Sequence, residues 1–174
     1  MSDETPSRAG WSRALRVVAL NVALSAGAIL VAWLAFRVDA RVDIELPTWI
    51  EPLCWPLIIP GALLVAWAAL TLFRDGGATG APGDPTLRLV TRGPYRLTRN
   101  PIYAGVVLML LGVALQTRSP SFLLLTLIFI PILHLYVVHR EEPALTRRFG
   151  PPYREYMRTV HRWNPGSRSG WKGP

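Results

Sequence analysis

Long uncharged runs separated by blocks of charge set the pattern of this chain. Residues 14–36 carry a single charge, Arg16, near their start, and residues 53–73 carry none. Residues 102–116 are uncharged, and residues 121–138 are apolar apart from His134. This is the patterning of a polytopic membrane protein rather than a soluble one, and it predicts an all-α fold with about four transmembrane helices. At a rise of about 1.5 Å per residue, the first, second and fourth runs reach across a hydrocarbon core of roughly 30 Å, with some tilt or thinning. Pro56 and Pro60 should bend the first half of the second run.

The third run reaches only about 22 Å at that rise. Either it starts further back, with Arg96 and Arg99 reaching to the surface, or its first turn is buried in protein. The second arrangement sets Asn100 and Tyr103 below the headgroups, inside a cavity.

The connections give the orientation. Arg8, Arg13 and Arg16 precede or open the first run, whereas Arg37 to Glu51 holds two arginines against four acids. Arg74 to Arg99 holds five arginines and two aspartates, and the segment after Val138 is again rich in arginine. By the positive-inside rule both termini lie in the cytoplasm. The first run is too long for a signal core and has no clean small-residue cleavage site, so it reads as a retained helix. Residues 1–174 are then one membrane domain with a short N-terminal tail, 1–13. Thr117-Arg118-Ser119-Pro120 makes a tight hairpin between the last two helices, so the start of the third and the end of the fourth meet at one cytoplasmic surface. Two segments share that surface, 86–105 and 139–165. Gly76 to Pro85 is a flexible loop by composition, Thr86 to Val90 alternates like an extended stretch, and Gly93-Pro94-Tyr95 is a turn. Beyond a helix stop at Gly150, Tyr153, Tyr156, Met157 and Val160 recur at helical spacing, which predicts an amphipathic helix on the membrane surface.

Composition narrows the chemistry. The net charge of +8 is accounted for by topology and by attraction to anionic membrane lipids, so no nucleic-acid partner is expected. Cys54, the one cysteine, forms no internal disulfide, and with His134, His139 and His161 it makes no metal-ligand set.

Two places carry candidate chemistry. Pro101 suits the first turn of a helix, and the backbone donors around it face whatever lies at that helix end, with Arg99 alongside for an anionic group. Glu141 and Glu142 close the fourth run, where acids oppose the helix dipole. They either pair with Arg140, Arg147 or Arg148, or bind a ribose diol as carboxylates do in dinucleotide sites. His134 lies seven residues before Glu141 and shares its face. An ionisable residue at that depth usually faces the bundle interior. Tyr95 and Tyr103 suit either an interfacial aromatic belt or stacking on a planar ring.

The ordered set Gly93-Pro94-Tyr95, Arg99-Asn100-Pro101-Ile102-Tyr103-Ala104-Gly105, Arg140-Glu141-Glu142 and Phe149-Gly150-Pro151-Pro152-Tyr153 with Tyr156 resembles the isoprenylcysteine carboxyl methyltransferase family, which belongs with the phospholipid methyltransferases. The resemblance covers about Thr86 to Pro165. It implies an integral membrane enzyme taking S-adenosylmethionine from the cytosol and a lipophilic or lipidated acceptor from the bilayer, with carboxylate O-methylation as the expected reaction. Carried over by position, Leu87, Arg88, Leu89, Val90, Tyr95, Asn100, Pro101, Ile102, Tyr103 and Glu141 would bind the donor. Arg99 and Glu142 are the candidate catalytic residues; either glutamate becomes a candidate base if the acceptor is an amine. The family commonly has His where this chain has Asn100. Two other readings stay open. Sterol reductases share a similar proline–tyrosine motif but use NADPH, and a non-catalytic interaction module could keep the same fold.

Overall fold

The computed structural model describes residues 30, 32–41, 45–76 and 88–164. The expected N-terminal tail, most of the first apolar run, the loop from 77 to 85 and Leu87 lie outside the described residues. Among the described residues every regular element is helical, with no strand.

Helix α1 covers residues 32–41. It meets the hairpin end of the bundle, where Phe36 stacks on Phe122 at 5.9 Å. Asp39 there accepts hydrogen bonds from the Ser119 hydroxyl and, at 3.1 Å, from the Ser121 N–H. A 3₁₀ segment, Thr48–Cys54, leads directly into α2, Trp55–Gly76. Pro52 falls in the 3₁₀ part. Pro56 stands in the first turn of α2, where its missing N–H is harmless. Pro60 alone of these lies inside the regular helix.

Helix α3, Pro101–Gln116, packs along α2 through glycine. A Cβ on Gly105 would stand 2.6 Å from the Gly61 carbonyl oxygen and 2.7 Å from Val65 Cγ2, so the two backbones touch at this point. Small residues permit such approach between apolar helices, which gain from close packing when lipid offers no hydrophobic drive. The first turn of α3 is buried in protein: Pro101 is among the fully buried side chains, and Asn100 is 8% exposed. The helix starts at Pro101 and not further back.

Helix α4, Pro120–Tyr136, begins at Ser119, whose hydroxyl accepts from the Phe122 N–H at 3.0 Å. The helix stop expected after Val138 is absent. The backbone widens into a π turn, Val137–Glu141, and continues as α5, Glu142–Phe149, giving 30 helical residues from Pro120 to Phe149. Glu141 and Glu142 thus sit inside a helix, not at its C-terminus, and the dipole objection to them does not arise. The charged residues end the apolar run without ending the backbone hydrogen bonding.

Leu63, Trp67 and Phe73 on α2 and Leu124, Leu127 and Ile132 on α4 are exposed. Both helical stretches, Thr48–Gly76 and Pro120–Phe149, are long and apolar enough to cross a membrane. Rows of bare aliphatic and aromatic side chains on them fit a lipid environment. Gly150, at φ 61°, ends α5, and α6, Pro151–Thr159, turns back beneath the bundle. Its Tyr153 and Tyr156 join Ala68, Val90, Tyr95 and Val160 in a buried cluster below the end of α2.

Candidate functional site

The hairpin brings the start of α3 against the end of α4. Tyr103, on the first turn of α3, donates its hydroxyl to Glu141 Oε2 at 2.9 Å. Glu141 is half-buried, and its Oε1 has no hydrogen-bond partner among the described residues. Tyr95, in the 3₁₀ turn Gly93–Arg96, lies close enough that the Glu141 charge, after burial, helps push its phenol well above the usual tyrosine range.

The π turn explains why two adjacent carboxylates have different partners. The Glu142 N–H reaches back five residues to the Val137 carbonyl, and one extra residue per turn changes which way each side chain leaves the helix. Glu141 faces Tyr103. Glu142, with its side chain 11% exposed, faces two guanidiniums. Arg162 grips it with Nε 2.8 Å from Oε1 and Nη2 2.7 Å from Oε2, the bidentate geometry of a strong arginine–carboxylate pair. Arg99 adds an ion pair, Nη1 to Oε1, at 2.9 Å; this nitrogen lies off the hydrogen-bonding axis, so it and Nε are buried donors without an aligned acceptor.

Asn100 belongs to the same fastening. Its Nδ2 donates to the Arg162 carbonyl at 3.3 Å, and Thr98 Oγ1 donates to that carbonyl at 2.6 Å. The Arg99 N–H is bound by the His161 carbonyl at 3.0 Å. Residues 98–100 and 161–162 are therefore stitched together where α3 begins. Arg162 is the residue that holds this corner, and its sequence signal was only a basic residue after an amphipathic helix.

The remaining expected residues divide. Val90 packs in the tyrosine cluster with Tyr95 and Ile102 against it, and Tyr156 donates its hydroxyl to the Tyr95 carbonyl at 2.6 Å. Leu89 also packs there, while Arg88 is exposed and Pro101 is buried in the helix start. Leu87 lies outside the described residues. Tyr103, Glu141 and Tyr95 form one polar group. Asn100, Arg99 and Glu142 form a second one with Arg162.

Next to Tyr103, Ala104 opens onto an apolar cavity of about 760 Å³ lined from α2, α3 and α4 by Leu64, Val107, Leu108, Ile130 and Leu133. Trp163 covers one side. Its indole N–H donates to His134 Nδ1 at 2.9 Å, so the partner of His134 is the C-terminal segment rather than a neighbouring helix. Among the described residues, no three His, Cys, Asp or Glu side chains come together as metal ligands would.

Two curated bacterial proteins are similar to this chain. One is the cobalt-zinc-cadmium resistance protein CzcN of Cupriavidus metallidurans, 31% identical over 68% of this chain and 52% of its own. The other is the nickel-cobalt-cadmium resistance protein NccN of Alcaligenes xylosoxydans xylosoxydans, 28% identical over 68% of this chain and 53% of its own. The chain spans about half the length of these curated relatives. No solved structure matches it. The phospholipid methyltransferase family model matches residues 53–152, which takes in the glycine contact of α2 and α3, Tyr103, and both glutamates. With that match across more than half of its length, the chain belongs to the phospholipid methyltransferase family.

Proposed function

We propose that this chain is an S-adenosylmethionine-dependent methyltransferase at the cytoplasmic membrane interface, with both termini in the cytoplasm, acting on a lipophilic acceptor by carboxylate O-methylation. The observation that carries this reading is the juxtaposition of the Tyr103–Glu141 pair with the apolar cavity beside Ala104. A water-soluble donor and an apolar acceptor need adjoining polar and apolar sites, and here they are neighbours on one helix.

The residues present suit the donor. Glu141 keeps one carboxylate oxygen without a partner among the described residues, as a ribose diol or an ammonium group requires, while Tyr103 fixes the other. The nearby phenol rings of Tyr95 and Tyr103 offer negative faces to a sulfonium. The donor supplies the methyl group: the acceptor oxygen's lone pair forms the new C–O bond as the S–C bond breaks and its pair returns to sulfur. An ionised carboxylate has no proton to lose, so the chain's task is alignment and exclusion of water. Both oxygens of Glu142 are taken up by guanidiniums. In this reading Arg99, Glu142 and Arg162 are positioning residues that hold the C-terminal segment against the start of α3.

The test is calorimetric titration of the purified protein with S-adenosylhomocysteine and, separately, NADPH. Homocysteine-analogue binding that weakens in Glu141→Ala without loss of fold is expected. Binding of NADPH alone would replace this reading with a reductase, and binding of neither would favour a non-catalytic module.

A further inference from the structure

The apolar cavity contains polar groups that the donor does not need. Thr98 Oγ1 gives its proton to the Arg162 carbonyl, and the Trp163 indole gives its own to His134. An indole nitrogen only donates, so the imidazole nitrogen facing it must carry the lone pair. That contact selects the tautomer with the proton on His134 Nε2. Nε2 has no hydrogen-bond partner among the described residues, and His134 lines the cavity. In a site lined by leucine, valine and isoleucine, a lone oriented N–H is the kind of polar group that fixes a ligand's direction.

We infer that His134 is a positioning residue for the acceptor: its Nε2–H holds the polar end of an apolar molecule, and that end is an ionisable oxygen rather than an amine. An N–H donor finds a lone pair on a carboxylate or phenolate oxygen, and the bond is stronger when the oxygen is charged. An ammonium group has only donors and leaves the N–H unmatched. Trp163, itself part of the cavity wall, sets this preference by fixing the ring's tautomer. The volume, about 760 Å³, suits one compact apolar body. The inference rests on the methyltransferase reading only for calling the bound molecule an acceptor; the binding itself requires no donor.

The experiment uses dodecanoate and dodecylamine as probes, with the full chain held in amphipol and its histidines labelled with ¹⁵N. Long-range nitrogen–proton spectra should show His134 protonated at Nε2, and dodecanoate but not dodecylamine should shift that nitrogen. Trp163→Phe should lose the single-tautomer signature. His134→Phe should bind dodecanoate about tenfold more weakly, as loss of one hydrogen bond to a charged group predicts. His134→Gln, which keeps one acceptor and one donor, should recover most of that loss. Unfolding temperatures of the same variants serve as the fold control, and S-adenosylhomocysteine titration judges the donor site separately. A protein that binds dodecanoate through His134 but ignores the homocysteine analogue keeps this inference and loses the methyltransferase reading. Equal dodecanoate affinity in the wild type and His134→Phe, or equal response to the amine, overturns the inference.

Discussion

Arg162 lies edge-on to Glu142, with both carboxylate oxygens within 2.8 Å of its guanidinium nitrogens. Twenty residues of chain separate the two, and the pair closes a loop made of α5, α6 and the turn between them. This contact fastens the C-terminal segment to the start of α5, beside the hydrogen bonds that tie it to residues 98–100.

Glu142→Gln should therefore destabilise the protein by about 2 kcal/mol, since removing one partner leaves two buried or half-buried guanidiniums short of a counter-charge. The effect is read as a lower unfolding temperature in detergent. Arg162→Lys should fall between, because an ammonium cannot reproduce the two parallel bonds. An unchanged unfolding temperature in Glu142→Gln would show that the pair is solvated and that something else holds the segment.

Tyr103 and Glu141 should act as a unit on ligand binding. Tyr103→Phe removes a hydrogen bond to a charged group, and S-adenosylhomocysteine affinity should fall about tenfold. If the phenol works by orienting the carboxylate, Tyr103→Phe in a Glu141→Gln background should cost much less than it does alone. Fully additive losses would mean that the two residues touch the ligand independently.

The Tyr103–Glu141 contact was legible in the residues themselves, because a four-residue hairpin between two apolar runs leaves little choice about which ends meet. The partition of Glu141 from Glu142 was not. It depends on a π turn, and one extra residue in a helical turn leaves no mark in an apolar periodicity that has already stopped at Val138. The same blindness hid the continuation into α5. Arg162 and Trp163 were hidden for a different reason: their partners, Glu142 and His134, are 20 and 29 residues away, and only the reversal at Gly150 brings them back. The Asn100 side chain, at the position where the family commonly has His, binds the Arg162 carbonyl.

Gly105 stands where α3 meets the α2 backbone. Gly105→Ala should destabilise the bundle by about 1–3 kcal/mol, the usual range for overpacking a tight contact. The clash is with the Gly61 carbonyl, which cannot swing aside as a flexible side chain does. The measurement is unfolding in graded denaturing detergent. An alanine variant as stable as the wild type would mean that α2 and α3 separate there without penalty.

Alkaline pH should loosen the C-terminal cluster first. Burial, reinforced by the nearby Glu142 charge, pushes the Tyr153 phenol up to about 12, and burial moves Tyr156 in the same direction. A tyrosine raised above its ordinary value of 10.0 keeps its proton in the native state while the unfolded chain loses it. Stability then falls as pH rises, because the native state binds more protons. The contribution is fully present below about pH 10 and is lost progressively towards pH 12. Denaturation midpoints measured from pH 8 upward should stay level and then decline above pH 10. Tyr153→Phe should decline less steeply, since one of the protons driving the slope is gone. An identical slope in that variant would move the alkaline sensitivity away from Tyr153 and onto the other tyrosines of the cluster.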